Sequence, residues 1–222
     1  MPSRRQHVGP LLIAALSLLT GLCTGQQAQA AQREPVILVH GWNGTPAVFD
    51  QMKTALEQAG HPAYAIDLPG EENLANAEAI KNLVDQVRQA HNGSKVSLVG
   101  HSMGGLSARH YLKFLGGAEQ TLSYVSMGTG QLGYWPACLL QPGQGGQMCP
   151  ANSFIKQLNS GDPTPGPVRY TVLASSLDET RNDVIAGTSC RAEFPGLPHA
   201  DEPRTPVFID AVLSALAGQC PS

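Results

Sequence analysis

The chain has 222 residues, with 14 basic against 17 acidic side chains and a net charge of −3 at pH 7. Its basic residues are scattered and never clustered, which excludes a nucleic-acid-binding surface, and its length suits one domain with a substantial core.

Arg4 and Arg5 precede an apolar run over residues 8–22, and Ala28-Gln29-Ala30 follows, the pattern of a secretory signal peptide cleaved after Ala30. The run is too short and too interrupted to span a membrane. Ser3-Arg4-Arg5 carries the paired arginines of twin-arginine export. Cys23 follows Leu22 rather than the small residue of a lipoprotein signal, so it is expected to leave with the leader. Residues 31–222 are then a single exported domain, extracellular or periplasmic, expected to work as a monomer. Of the 5 cysteines, Cys138, Cys149, Cys190 and Cys220 remain, an even number that reads as two disulfides.

Residues 35–39 are uniformly apolar, as in a parallel strand covered on both faces. His40-Gly41-Trp42-Asn43-Gly44 follows, and then Thr45 and Pro46 as cap and first residue of a helix with Val48, Met52, Leu56 and Ala59 on one face. Residues 63–67 make a second strand. Beyond the turn Asp67-Leu68-Pro69-Gly70, Ile80, Leu83, Val84 and Val87 fall on one side of a helix ending near Asn92-Gly93. Strands follow at 96–99, 122–127, 168–174 and 190–194, with helices over 103–115, around 154–158, and over 206–217 behind Thr205 as cap. The alternation implies an α/β fold, a mostly parallel sheet of about six strands with helices on both faces, and functional residues at the strands' C-terminal ends.

Within this frame Val96-Ser97-Leu98-Val99 breaks into Gly100-His101-Ser102-Met103-Gly104 and continues as a helix ended by Gly116-Gly117. Gly-x-Ser-x-Gly between strand and helix is a nucleophile elbow, in which a strained turn exposes the serine beside unpaired N–H groups of the helix N-terminus. A serine needs a base and the base needs an orienting acid. His199 is the candidate base, since His110 lies on the elbow helix two turns from Ser102 and is expected to pack or meet solvent. For the acid, Asp178 stands just past a strand end, with Asp183 and Glu179 as rivals. Glu119, Asp162 and Glu193 do not follow a confident strand end. Oxyanion donors are expected from the N–H groups of Met103 and Trp42. His40 and His101 read as structural.

With these residues in place the chain resembles the alpha/beta-hydrolase superfamily, and within it the small secreted class 2 lipases of bacilli and streptomycetes. The resemblance is carried by Val-Ile-Leu-Val-His-Gly at Val36 to Gly41, Gly-His-Ser-Met-Gly-Gly at Gly100 to Gly105, Ser175-Ser176-Leu177-Asp178, and His199 ahead of the last helix. Cys138 and Cys149 flanking a Gly/Pro-rich segment, with Met148-Cys149-Pro150, Ser153-Phe154 and Leu158-Asn159, are the streptomycete-like features. Pro198-His199-Ala200-Asp201 departs from the Gly-His or Ser-His of such lipases. The resemblance implies a minimal alpha/beta-hydrolase fold and carboxylic-ester hydrolysis through an acyl-enzyme, with no cofactor or metal. The implied partners are a small-molecule ester or lipid, with at most transient contact with a lipid surface. The residues agree on metals, because no His/Cys/Asp/Glu cluster has ligand spacing. An acyltransferase with the same triad, or a non-catalytic binding protein on this fold, remain the competing readings.

Two expectations concern the loops. Cys138–Cys149 would close a flexible loop and Cys190–Cys220 would tie the C-terminus near His199. Residues 131–150, rich in Gly, Pro and Gln, should form no stable helical lid, while Leu132, Tyr134, Trp135, Leu139 and Leu140 line an acyl-pocket rim or pack the loop onto the sheet.

Overall fold

The apolar runs become six strands: β1 (Val36–Val39), β2 (Ala63–Ile66), β3 (Val96–His101), β4 (Thr121–Met127), β5 (Arg169–Ser175) and β6 (Cys190–Phe194). A computed structural model describes residues 1–2 and 33–222 of the chain. The signal-peptide reading of residues 1–30 therefore lies, beyond Pro2, outside the described residues. The strands pair in parallel in the order β2-β1-β3-β4-β5-β6. Five α-helices accompany them: α1 (Asp50–Gln58), α2 (Asn73–Ala90), α3 (Met103–Phe114), α4 (Ser153–Asn159) and α5 (Pro206–Leu216).

Strand β1 shows why an unbroken apolar run is needed. Val36 and Leu38 point to one face, against Met52 and Leu56 of α1 and Phe208, Val212 and Leu216 of α5. Ile37 and Val39 point to the other, against Ile80 and Val84 of α2 and Tyr111 and Leu112 of α3. All four are fully buried, so a polar residue at any of them would lose its water on either face.

From β1 the chain goes outward to β2 and then back past β1 to β3, so the order of strands reverses between β1 and β3. At such a switch point the loops leaving the two strands diverge and leave a crevice at their C-terminal ends. The loop over residues 40–44 and the turn at Ser102 both lie there.

Two expected helix caps are not made. Thr45 has extended backbone but no capping bond from its side chain, and Pro46 opens a short 3-10 helix, Pro46–Phe49, that runs into α1. Thr205 precedes α5 in the expected place, but its hydroxyl donates to the Glu202 carbonyl at 3.2 Å and caps nothing. Asn152, not singled out from the sequence, does cap α4 by accepting from the Phe154 N–H at 2.8 Å.

Between β4 and α4 residues 135–148 form three 3-10 turns and no α-helix, as the Gly/Pro content predicts. Disulfides join Cys138 to Cys149 and Cys190 to Cys220, the expected pairing, with Cα separations of 4.6 and 5.5 Å. The segment is also clamped from beneath by Arg109 of α3, whose buried guanidinium donates to Gln131 Oε1 at 3.0 Å, the Leu158 carbonyl at 3.2 Å and Asn159 Oδ1 at 3.0 Å. A loop poor in regular structure is thereby held in one place above α3.

Candidate active site

The turn at Ser102 has φ 54° and ψ −128°, a conformation that costs a non-glycine residue about 1–3 kcal/mol. Its surroundings hold it there. The Ser102 N–H donates to the Met127 carbonyl of β4 at 3.0 Å. A Cβ on Gly100 would lie 2.6 Å from the Gly105 Cα, and one on Gly104 would lie 2.3 Å from the Val39 carbonyl oxygen. Both glycines are needed because backbone meets backbone. Gly41 is held to the same rule from the opposite side, since its Cβ would approach the Ser102 Cβ to 2.7 Å.

Ser102, His199, Asp178, Trp42 and Met103 all line one cavity of about 570 Å³. Asp178 sits just past β5 and His199 opens the 3-10 helix His199–Arg204 before α5. The His199 Nδ1–H donates to Asp178 Oδ2 at 2.5 Å. The other oxygen, Oδ1, accepts from the Thr180 N–H at 2.8 Å and the Thr180 hydroxyl at 2.7 Å. Burial alone would raise the Asp178 carboxyl, but these three bonds outweigh it and hold it below its ordinary value. Burial likewise works against the His199 imidazolium, yet the bond to Asp178 and the Asp178 charge outweigh it and hold His199 above its ordinary value. Ser102 and His199 face the cavity without a hydrogen bond between them, a looseness usual before substrate closes the contact.

The two expected oxyanion donors stand at the ends of the crevice. Met103 is the first residue of α3, so its N–H has no carbonyl one turn back. The Trp42 N–H has no partner among the described residues, and the indole Nε1–H donates to the Gln144 carbonyl at 2.9 Å, tying this loop to the turn over 142–145.

The rival acids are placed elsewhere. Asp183 Oδ2 accepts from the Leu132 N–H at 2.8 Å and so anchors the 131 loop. Glu179 lines the cavity without bonding His199. Asp162 caps the turn at Thr164 and Glu193 pairs with Arg191 on β6, while Glu119 lies in the 3-10 helix Gly117–Gln120.

The other histidines singled out from the sequence, His40, His101 and His110, hold structural positions. His40 Nδ1 bonds the Gly41 carbonyl at 2.9 Å, and its Nε2 accepts from the Leu68 N–H at 3.3 Å, joining the loops after β1 and β2. His101 is buried, and its Nε2–H donates to the His199 carbonyl at 3.0 Å; burial, then the nearby His199, push it down to about 3, so it stays neutral. His110 stacks on Phe154 at 5.5 Å between ring centroids.

Glu202 is the site residue that sequence reasoning missed. Its side chain is fully buried, with Oε1 accepting from the Ser175 N–H at 3.1 Å. Oε2 has no hydrogen-bond partner and lies 3.7 Å from His101 Nε2 and 3.9 Å from His199 Nδ1. Burial, reinforced by the Asp178 charge, pushes the carboxyl up to about 8. His101, His199 and Glu202 also form the one metal-compatible group among the described residues, a grouping invisible in their spacing. Both nitrogens nearest Glu202 are already engaged, Nε2 of His101 on the His199 carbonyl and Nδ1 of His199 on Asp178.

The apolar wall of the cavity comes from Met103, Leu106, Tyr134, Met148 and Leu177. Of the five rim candidates read from the sequence, only Tyr134 lines it. Leu140 packs inward against the cluster around Phe154, while Leu132, Trp135 and Leu139 are exposed.

A strained strand-to-helix turn at the switch point of a parallel sheet places the chain among the α/β-hydrolase folds. Comparison with known proteins agrees: the alpha/beta hydrolase family model matches residues 36–218, and the chain belongs to that family. A triacylglycerol lipase of Pseudarthrobacter phenanthrenivorans is 37% identical over 91 residues, covering 36% of this chain and 28% of that protein. One from Burkholderia plantarii is also 37% identical over 91 residues, 36% of this chain and 25% of that one. The chain thus spans roughly a quarter of the length of these curated relatives. Among solved structures, mature Bacillus licheniformis lipase BlEst2 superposes with a TM-score of 0.69 at 17% identity, covering 84% of this chain and 93% of that one.

Proposed function

We propose that this protein is an exported serine carboxylic-ester hydrolase of the lipase and esterase type, acting through an acyl-enzyme on short to medium-chain acyl esters. The observation that carries the reading is the His199 Nδ1–Asp178 Oδ2 bond, 2.5 Å, in the same cavity as the strained Ser102. The names of the relatives support the same class of substrate, a small-molecule ester or lipid. The two disulfides fit an oxidising compartment.

In this reading Asp178 fixes the proton on Nδ1, leaving Nε2 free to take the Ser102 proton as Oγ attacks the ester carbonyl. The Trp42 and Met103 N–H groups receive the developing oxyanion. Collapse breaks the bond to the alcohol, whose oxygen takes the proton from Nε2. Water then repeats the sequence on the acyl-enzyme, releasing the acid and restoring Ser102.

A fluorophosphonate tests this directly. It should label Ser102 and no other residue, and Ser102→Ala should abolish both labelling and release of acid from 4-nitrophenyl butanoate. Labelling at another residue, or hydrolysis that survives Ser102→Ala, would overturn the mechanism.

A further inference from the structure

An ester presents two arms to its hydrolase, and two cavities meet at this nucleophile. The second, about 300 Å³, shares Trp42, Ser102 and His199 with the first and is otherwise bounded by residues 41–45, Val48, His101, Ala200 and Arg204. The two differ in chemistry. The larger holds the apolar wall, together with the acids Asp178 and Glu179. The smaller has no acid in its lining and holds the cation Arg204, with Asn43 and Thr45 also lining it.

Arg204 is exposed and makes neither an ion pair nor a hydrogen bond among the described residues. It is the only permanently charged group lining the smaller cavity, because His101 stays neutral. The nearest acids in its own helix do not cancel it. Asp201 is exposed and does not line the cavity, and buried Glu202 faces His101 and His199 on the far side. Across the cavity, Glu71 accepts the Asn43 N–H at 3.1 Å from outside the lining.

Resting on the ester-hydrolase reading above, we propose that the smaller cavity receives the alcohol arm, and that Arg204 makes it select esters whose alcohol carries an oxyanion such as carboxylate or phosphate. Two arguments converge. A medium acyl chain gains most by burial against Met103, Leu106, Met148 and Leu177, which assigns the larger cavity to the acyl arm. An anion entering that cavity would meet Asp178 and Glu179, whereas in the smaller one it meets a guanidinium with its donors unspent, a fork that matches an oxyanion two bonds at a time.

The test uses two butanoyl esters that differ only in charge on the leaving alcohol, those of 4-hydroxybenzoate and 4-hydroxybenzamide. With Arg204→Gln, kcat/KM for the carboxylate ester should fall about tenfold more than for the amide ester, the effect of one lost charge-assisted bond. Arg204→Glu should widen the gap, and 0.5 M salt should narrow it in the wild type. Monomethyl succinate, with its carboxylate on the acyl arm, should show no such dependence on Arg204. Equal losses on the paired esters, or an effect confined to the succinate, would overturn the assignment. Failure of the wild type to hydrolyse any of these esters would instead remove the hydrolase reading itself.

Discussion

Asp178→Asn, set beside Asp183→Asn, separates Asp178 from one of its two rivals in the sequence. In the wild type Asp178 Oδ2 accepts from His199 Nδ1 and Oδ1 holds two bonds from Thr180, so the carboxylate fixes both the ring's position and its tautomer. An asparagine keeps the Thr180 bonds through its oxygen but turns an N–H toward Nδ1. That drives the ring proton to Nε2, where it blocks proton transfer from Ser102. Comparable changes in other triads cost about ten-thousandfold in turnover, and that loss is expected here. The pH profile gives a second readout. Activity needs neutral His199, which Asp178 holds above the ordinary 6.5, so the wild-type acid limb should lie above pH 6.5. With the carboxylate gone, burial remains and the limb should move to lower pH. Asp183→Asn keeps an oxygen for the Leu132 N–H and should change kcat/KM by no more than about twofold. The assay is kcat/KM for dissolved 4-nitrophenyl butanoate from pH 5 to 9, with folding checked by thermal melting. An Asp178→Asn enzyme within tenfold of wild type, or a crippled Asp183→Asn enzyme, would refute the assignment.

Glu202→Gln should alter how stability depends on pH. The carboxyl titrates near 4.5 when unfolded and at about 8 when folded, so between those values the native state holds a proton that the unfolded chain has released, and stability falls as pH rises. Glutamine does not titrate, so the variant should gain on the order of 3 kcal/mol relative to wild type between pH 5 and pH 7; melting curves that stay parallel across that range would contradict the buried neutral carboxyl. The 131–150 segment makes a separate prediction. With no amphipathic helix to swing away, hydrolysis of a short triacylglycerol should rise smoothly through its solubility limit, and a sharp increase there would reveal a lid that closes in water.

The inner strands were legible because a strand covered on both faces must be largely apolar, and few other segments resemble Val36-Ile37-Leu38-Val39 or Val96-Ser97-Leu98-Val99. The elbow was legible for a similar reason: glycine at 100 and 104 is a local consequence of backbone contact. The two threonine caps were not, since whether a hydroxyl turns to its helix depends on rivals such as the Glu202 carbonyl that bonds Thr205. Nor was the cavity wall, where the segment carrying Met148 is flanked by the Arg109 clamp, which joins parts of the chain 22 to 50 residues away.

Glu202 shows the limit most sharply. Asp178 and Glu202 are both buried carboxyls beside the same imidazole, and their places in the chain, one past a strand end and one inside a short helix, do not say which of them is ionised. Hydrogen bonds do. Asp178 accepts from His199 and twice from Thr180, enough to outweigh the loss of water and keep it ionised. Glu202 accepts only from the Ser175 N–H, and its second oxygen accepts none, so desolvation wins and it holds its proton. Of the two buried carboxyls beside His199, Asp178 alone then carries a full negative charge. That is the arrangement in which the imidazolium formed during catalysis is stabilised on its Asp178 side without a second buried anion to desolvate.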